Sequence, residues 1–282
     1  MKYENFVGQL GFSEEELALL ADAHAKCAGD AAEAREYYNK GDEAFAEYLV
    51  SLSKKRGVEI DMLNLYLYLR FSEDTYKIYK AHGISDDVFL TTMRGYSIVS
   101  QICLERTGHY GVAQITYRSW MRRSVDATIF RLGRLEFELI TSRWDFDIEV
   151  DGEVIHPGDI CISVHIPRKE RFDEASCETA YDMARSFFKN HYTMDKAVFV
   201  CESWLMDPWL RDYLPEASTI INFQKKYKTI EVKENTDVAI GWIFGKKEEN
   251  IEDYAEDTTI RRAAKERLRS GQRIGMALGA RL

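Results

Sequence analysis

Proline is scarce in this chain and unevenly placed. The 282 residues include only four prolines, and all of them lie in the second half: Pro157, Pro167, Pro208 and Pro215. Proline breaks helix interiors, so its absence from residues 1–156 leaves that part free to form long helices. A capping box from Ser13 to Glu16 marks one helix start there. The first part of the chain is therefore predicted to be helical.

Long apolar runs are also missing. A membrane-spanning helix needs roughly 18–20 apolar residues, whereas the longest candidate here covers residues 62–69 and stops at Arg70. The opening segment, MKYENFVGQL, is too polar for a secretory signal peptide. We therefore expect a cytoplasmic protein with no membrane partner.

Cysteine is sparse, and its spacing excludes two common uses. The five cysteines are an odd number, are widely separated and form no Cys-x-x-Cys pair. This pattern argues against a disulfide framework and against a structural zinc site, and it suits a reducing compartment. The histidines form no cluster with ligand-like spacing either, so no metal is predicted.

Positive charge is in deficit. The chain has 38 Lys and Arg against 47 Asp and Glu, a formal net charge of −9. A broadly basic surface for nucleic acid is therefore not expected. With 45% hydrophobic and 30% charged residues, the composition is that of an ordinary globular protein.

The hydrophobic pattern changes from helical spacing to alternation near Asp126. Strands are predicted in several segments: residues 128–138 around a tight turn at Gly133, 146–155 around a turn at Asp151-Gly152, 160–166, 197–201, 219–227 and 238–244. Helices are predicted over residues 174–192, 208–214 and 251–269, with a terminal strand after them. The expected fold class is α+β. An all-helical domain over residues 1–122 is followed by a mixed β-sheet domain with flanking helices over residues 123–282.

Three runs of residues point to a known family. They are Phe130-Arg131-Leu132-Gly133-Arg134-Leu135-Glu136-Phe137-Glu138, Val164-His165-Ile166-Pro167 and Val200-Cys201-Glu202-Ser203-Trp204-Leu205-Met206-Asp207-Pro208. With them, the chain resembles bacterial acyltransferase-domain proteins that join a helical N-acyltransferase N-terminal domain to a GNAT-like C-terminal domain. The resemblance covers nearly the whole chain.

The resemblance implies an acyl-CoA-dependent N-acyltransferase. Acetyl-CoA or another acyl-CoA would be the cosubstrate, and a small-molecule amine or an N-terminal amine would attack the thioester directly. In the GNAT fold the fourth strand diverges from the strand after the central helix, and the pantetheine arm binds in the gap. Carried onto this sequence, the backbone of Val164 and Ile166 would bind pantetheine, and Arg168 and Arg171 would neutralise the pyrophosphate.

One departure from the GNAT pattern supports an alternative. The loop after residue 167 contains no glycine, although a phosphate-binding loop usually needs glycine to wrap its backbone around the ligand. The alternative is a catalytically inactive relative that serves as a ligand-binding or interaction scaffold. A glycine-containing match at residues 272–277 lies too near the end of the sequence for a helix to follow it, and we interpret it as a chance match.

Two residues after the 197–201 strand are candidate catalytic residues. Relatives often protonate the leaving thiolate with a tyrosine on the helix after the diverging strand, and Tyr213 occupies that place. Its alternative role is packing against Trp209. Ser203, which opens the serine-tryptophan-leucine run, is also included among the candidate catalytic residues.

The other candidates lie on the predicted strands. His165 is suited to act as a base near neutral pH, the alternative being a hydrogen-bonded structural histidine. Glu136 and Glu138 share one face of their strand and suit a cationic amine or its proton, the alternative being a solvated face with a local ion pair. A covalent mechanism through Cys201 and His165 is disfavoured, because direct transfer needs no intermediate and cysteine is a common buried residue.

Overall fold

The structure is a computed structural model that describes residues 1–113, 118–167, 172–234 and 236–282. The chain divides into two compact units, Met1–Leu132 and Gly133–Leu282. As predicted, helices make up most of the first unit, and a mixed β-sheet with flanking helices makes up the second.

The first unit contains eight helices and one short strand within its described residues. They are α1 (Tyr3–Phe6), α2 (Glu14–Cys27), α3 (Ala31–Lys40), α4 (Asp42–Arg56), α5 (Ile60–Ala81), α6 (Asp86–Met93), α7 (Gly95–Thr107), α8 (Arg118–Val125) and β1 (Ile129–Leu132). The capping box that begins α2 is confirmed. The Ser13 hydroxyl accepts the Glu16 N–H, and the Glu16 carboxylate accepts the Ser13 N–H at 2.9 Å.

Helix α5 is the centre of this unit. All its residues from Met62 to Leu69 are buried, as expected for a helix that other helices surround. Edge-to-face aromatic contacts join it to α3, since the Tyr38 ring lies 5.9 Å from Tyr68 and 5.2 Å from Phe71. The apolar run that is too short to cross a membrane is thus the core of a helical domain.

The second unit contains seven strands and five helices within its described residues. The strands are β2 (Leu135–Thr141), β3 (Ile148–Val150), β4 (Glu153–Ile155), β5 (Ile160–His165), β6 (Phe199–Ser203), β7 (Lys228–Lys233) and β8 (Met276–Arg281). The helices are α9 (Glu174–Tyr192), α10 (Leu210–Tyr213), α11 (Thr219–Lys225), α12 (Thr236–Phe244) and α13 (Thr259–Arg269).

The main sheet of this unit has the order β2-β5-β6-β8-β7, and β3 and β4 form a separate two-stranded sheet. Strands β5 and β6 are parallel, while β2–β5, β6–β8 and β7–β8 are antiparallel. Helix α9, whose bounds match the predicted ones, connects β5 to β6, as a parallel crossover requires.

Two segments predicted as strands are helices. Residues 219–227 contain α11, and residues 238–244 belong to α12. The β-branched side chains there favoured the wrong choice, because a short apolar run does not by itself distinguish strand from helix. Ile221 and Ile243 pack in one core cluster with Trp209, so tertiary packing decides the helical state. Residues 251–269 are also helical only in part, at the 3-10 turn Ile251–Asp253 and in α13.

The two faces of the main sheet carry different cores. On the face covered by α9, the Tyr181 ring lies 5.6 Å from Phe137 and 5.1 Å from Phe199. The opposite face carries a cluster that includes Trp144, Cys161, Val200 and Leu278. Because side chains alternate along a strand, these two clusters assign every residue of β5 and β6 to a face.

Within the described ranges, no helix combines the length and the apolar character needed to span a membrane.

Candidate active site

Strands β5 and β6 form a fork. Strand β2 pairs with β5 along its length, from Glu136–His165 to Thr141–Ile160. By contrast, β5 pairs with β6 only at Ile162–Phe199 and Ser163–Val200. Beyond these pairs β5 continues beside β2 and β6 continues beside β8. A gap between two parallel strands leaves backbone groups available to a ligand, because ladder hydrogen bonds do not use them.

The fork brings His165 and Glu138 together. The imidazole Nε2 of His165 lies 2.8 Å from Oε2 of Glu138, with 23% and 12% of the two side chains exposed. The register pairs Glu138 with Ser163 and Glu136 with His165, so this contact runs diagonally across the two strands. The solvated-face alternative therefore does not describe Glu138, which is buried and hydrogen-bonded. Glu136 is half-buried on the same face.

His165 and Cys201 lie on opposite faces of the sheet. Alternation from Cys161 places His165 on the face of the Trp144 cluster, and alternation from Val200 places Cys201 on the α9 face. Burial also raises the pKa of the Cys201 thiol to about 12. The cysteine–histidine pair that a covalent mechanism would need is not formed.

Glu202 is a charged residue at the fork that the sequence pattern did not single out. It lies on β6 beyond the last β5–β6 pair and accepts hydrogen bonds from Arg143 and from Lys233, the latter at 3.2 Å. Burial acts to raise the pKa of Glu202, but these hydrogen bonds outweigh it and lower the pKa. No local sequence motif indicates the cluster of Arg143, Glu202 and Lys233, because these three residues are far apart in the chain.

The predicted pyrophosphate loop is only partly described. Arg168 and Arg171 lie outside the described residues. At the edges of the loop, the Arg134 guanidinium donates to the Pro167 carbonyl at 3.0 Å and lies 5.5 Å from the centre of the Phe172 ring. Arg134 thus places a buried cation beside this loop.

The N-terminus of α9 has an internal cap. The Asp173 carboxylate accepts the Ser176 N–H at 3.0 Å. A negative side chain stabilises a helix N-terminus, and it occupies an N–H group that a phosphate would otherwise use. In the glycine-containing match at residues 272–277, the Gly275 N–H is also already used, because it donates to the buried Asp207 carboxylate at 3.0 Å. Strand β8 begins within this match, at Met276.

Ser203 and Tyr213 make mainly structural contacts. The Ser203 hydroxyl accepts the Leu205 N–H at 3.2 Å where β6 ends. The Tyr213 ring packs edge-to-face on Trp209 with 5.6 Å between ring centres, and its hydroxyl has no hydrogen-bond partner among the described residues. Packing on Trp209 therefore accounts for the Tyr213 ring. It does not account for the hydroxyl, which can have another role.

A metal centre is not evident in the described ranges, where no three His, Cys, Asp or Glu side chains are arranged to hold an ion.

Comparison with known proteins identifies the family. A family model described as the GNAT-like C-terminal domain matches residues 129–281, and one described as the N-acyltransferase N-terminal domain matches residues 1–127. The chain therefore belongs to the family of proteins that join these two domains. The resemblance seen in the three residue runs is confirmed.

Solved structures show the same fold. An acyltransferase in complex with decanoyl-CoA and teicoplanin has a TM-score of 0.68 and 22% identity, over 80% of this chain and 67% of that one. An acyltransferase mutant in complex with octanoyl-CoA also has a TM-score of 0.68, with 21% identity over the same shares of 80% and 67%. At such identities the likeness establishes the fold. The comparison with curated proteins gave no match.

Proposed function

We propose that the protein is an acyl-CoA-dependent N-acyltransferase that uses His165 as its base. The observation that carries the proposal is the His165–Glu138 pair at the β5–β6 fork, 2.8 Å apart. A base held by a buried carboxylate beside open strand edges is what transfer between a bound thioester and an amine requires. The family and the fold, both those of acyltransferases, support this assignment.

The reaction is a direct transfer. The neutral amine nitrogen attacks the thioester carbonyl, the new carbon–nitrogen bond forms, and the carbon–sulfur bond breaks to release CoA thiolate. His165 takes the proton that the amine loses, and Glu138 orients the ring and balances its positive charge. Glu136, on the same face, attracts the cationic form of the amine, which releases one proton to solvent to become the neutral nucleophile before His165 takes the second.

Acyl-CoA binding is assigned to the β5 side of the fork. The backbone of Val164 and Ile166 binds the pantetheine arm, and Arg168 and Arg171 neutralise the pyrophosphate. Arg134 contacts both ends of this loop, at Pro167 and at Phe172, and adds a third positive charge nearby. Acetyl-CoA or a longer acyl-CoA serves as the cosubstrate, and no metal takes part.

Two residues on the β6 side complete the proposal. The Tyr213 hydroxyl protonates the departing thiolate, while its ring keeps its place on Trp209. Ser203 stands at the end of β6, where it can assist by hydrogen bonding. The acceptor is a small-molecule amine or an N-terminal amine. We also propose residues 1–122 and 123–282 as the two domains, and the five free cysteines fit a reducing compartment such as the cytoplasm.

Turnover by His165→Gln and Glu138→Gln variants tests the proposal. With a panel of acyl-CoAs and amines, we expect His165→Gln to lower kcat by about 10²–10⁴-fold, the usual contribution of a general base. Glu138→Gln should have a smaller effect, because glutamine still accepts a hydrogen bond. CoA affinity, measured by titration calorimetry, should be unchanged in both variants.

The matched control is His156→Gln. His156 also pairs with a carboxylate, Asp147, at 2.9 Å, but on an exposed surface. Its loss should leave turnover intact. Full turnover in His165→Gln would refute the assignment of the base.

The inactive scaffold is the second candidate, and the Asp173 cap favours it. A carboxylate at the N-cap of α9 repels a pyrophosphate that would approach the same N–H groups. Calorimetry with acetyl-CoA and with longer acyl-CoAs separates the two candidates. Binding followed by CoA release supports the enzyme, while no heat with any acyl-CoA supports the scaffold.

A further inference from the structure

The first unit contains a cavity that the proposed transfer chemistry does not use. Its volume is about 340 Å³, and we call it the α2 cleft. Its walls are α2, the turn between α4 and α5, and the C-terminal end of α7 with the loop after it. Glu15, Leu19 and Asp22 line it from α2, at a spacing that places them on one helix face. A volume of this size is at the lower end of the range for small-molecule sites.

The loop wall of the α2 cleft is held in place. The Gly111 N–H donates to the Ser100 hydroxyl at 3.1 Å, and the Val112 N–H donates to the Asp61 carbonyl at 2.9 Å. Gly111 has φ +140°, and a Cβ there would stand 2.2 Å from the Asp61 carbonyl carbon. Only glycine permits so close an approach. This loop carries His109 and Tyr110, so the cleft is formed before any ligand arrives.

Four apolar side chains form part of the wall of the α2 cleft. Leu19, Val58, Met62 and Leu104 line it. Met62 and Val58 are buried, but Leu19 is 40% exposed although it is a large aliphatic side chain. An exposed leucine at the centre of a concave surface offers apolar area to a ligand.

The charges around the α2 cleft are negative. Glu15, Asp22 and Glu59 line it, and none of its lining residues is lysine or arginine. Lys26 pairs with Asp22 at 2.7 Å, but both side chains are about half exposed, so water screens the pair. Tyr110 donates to Glu15 at 3.2 Å and keeps that carboxylate at the cleft.

Two helix ends reinforce this negative charge. Gly57 ends α4 and Gly108 ends α7, and both line the cleft. The C-terminal end of a helix carries a partial negative charge from its carbonyl groups. The N-terminus of α5 also lies at the cleft, and the Glu59 carboxylate caps it by accepting the Asp61 and Met62 N–H groups. Apolar walls with negative charge at the rim are complementary to an organic cation.

We propose that the α2 cleft binds a small organic cation, namely an ammonium group on an apolar body. At about 30 Å³ for each water-sized group, the cleft holds up to about ten non-hydrogen atoms. The ammonium lies near Glu15 at one end of this helix face or near Asp22 at the other, and the apolar body contacts Leu19 between them. Carboxylates of the same shape are excluded by repulsion. The proposal does not depend on acyl transfer, since it requires no CoA.

Hexylammonium is the probe, and hexanoate and hexanol are its matched controls for charge. Titration calorimetry of the full chain without CoA should show millimolar binding of hexylammonium, much weaker binding of hexanol and none of hexanoate. Equal binding of all three would overturn the proposal, because charge would then play no part. Absence of hexylammonium binding would overturn it as well.

Variants locate the bound probe. Glu15→Gln with Asp22→Asn should weaken hexylammonium binding by roughly fivefold or more, as expected for two partly exposed charge contacts. Leu19→Gln should weaken the binding of both hexylammonium and hexanol. The control pair is Glu14→Gln with Asp74→Asn. Glu14 is an exposed neighbour on α2, and Asp74 pairs with Lys77 much as Asp22 pairs with Lys26.

The control pair should bind hexylammonium like the parent. Unchanged affinity in the Glu15 and Asp22 double variant would place the ligand elsewhere and refute the assignment. All these positions are exposed, so the variants should keep the parent's melting temperature.

Discussion

At the scale of single residues, the proposed reactive centre depends on one diagonal contact between neighbouring strands. Glu138 belongs to a face that alternation predicts to be polar, yet it is buried, and its Oε2 lies 2.8 Å from Nε2 of His165. A buried carboxylate requires such a partner, because an uncompensated buried charge is costly. The same contact holds the imidazole in place for the proton transfer that we propose.

Tyr213 allows packing to be separated from chemistry. Phenylalanine at this position keeps the edge-to-face contact with Trp209 and removes only the hydroxyl. We therefore expect Tyr213→Phe to lower turnover by about tenfold or more, which is typical of losing a proton donor. CoA affinity and melting temperature should not change. Unaltered turnover would leave Tyr213 with a packing role alone.

At the scale of elements, the fork exists because β5 and β6 have different partners beyond Ser163. Strand β5 stays with β2, and β6 stays with β8. The ladder between them therefore ends early and leaves strand edges for a ligand. The loop between β5 and α9 begins at the same end of the sheet, which is where ligands bind in folds with parallel strands.

The loop arginines can be tested by replacing both. If Arg168 and Arg171 neutralise the pyrophosphate, their joint replacement by alanine should weaken CoA binding at least roughly tenfold, because a charge-assisted hydrogen bond contributes about 1.5–3 kcal/mol. Calorimetry measures this loss. The melting temperature should barely change. Parent-like affinity would move the phosphate site elsewhere.

Basic helix α13 is a poor substitute for that site. Its arginines and lysine are already engaged, since Arg261 pairs with Asp257 at 2.9 Å and Lys265 pairs with Glu256 at 2.9 Å. A phosphate would have to displace these acidic partners.

The contact between α9 and β8 predicts a dependence of stability on pH. A hydrogen bond from Arg281 lowers the pKa of Glu178 below its ordinary value of 4.5. Because the folded-state pKa is lowered, the contribution of this pair is present above pH 4.5 and is lost as the pH falls through the folded-state pKa. Glu178→Gln should therefore lower the free energy of unfolding by about 1 kcal/mol at neutral pH, a value discounted for the exposure of Glu178.

Denaturant unfolding at several pH values checks this prediction. The difference between parent and Glu178→Gln should shrink as the pH falls below 4.5. Asp182→Asn is the control, because Asp182 pairs with Arg185 on the same helix but is far more exposed. A difference that is constant with pH would show that charge is not the cause.

At the scale of the whole molecule, net charge bears on the choice of acceptor. At −9, the protein attracts cationic amines and raises their local concentration. We expect kcat/KM for a dicationic amine to fall at least roughly twofold over a tenfold rise in ionic strength, since salt screens long-range attraction. An amine that carries less charge should respond less. A kcat/KM for the dicationic amine that does not change with ionic strength would show that long-range steering does not contribute.

Local signals in the sequence determined a large part of this fold. The capping box at Ser13, the turn at Gly133, where φ is +62°, and the bounds of α9 all follow from residues close together in the chain. The scarcity of proline before residue 157 and the change to alternation near Asp126 determined the order of a helical part and a sheet part. Such features are local because caps, turns and periodicity involve neighbouring residues.

Tertiary structure alone decided the helical state of α11 and α12 and the contacts between charged residues on the sheet. Residues of α11 and α12 have strand-like composition, and they are helical because Ile221 and Ile243 pack into a shared core with Trp209. The contacts of Glu138 with His165 and of Glu202 with Arg143 join residues far apart in the chain. No local pattern encodes those contacts, because strand order and register bring the partners together and only the packed sheet sets both.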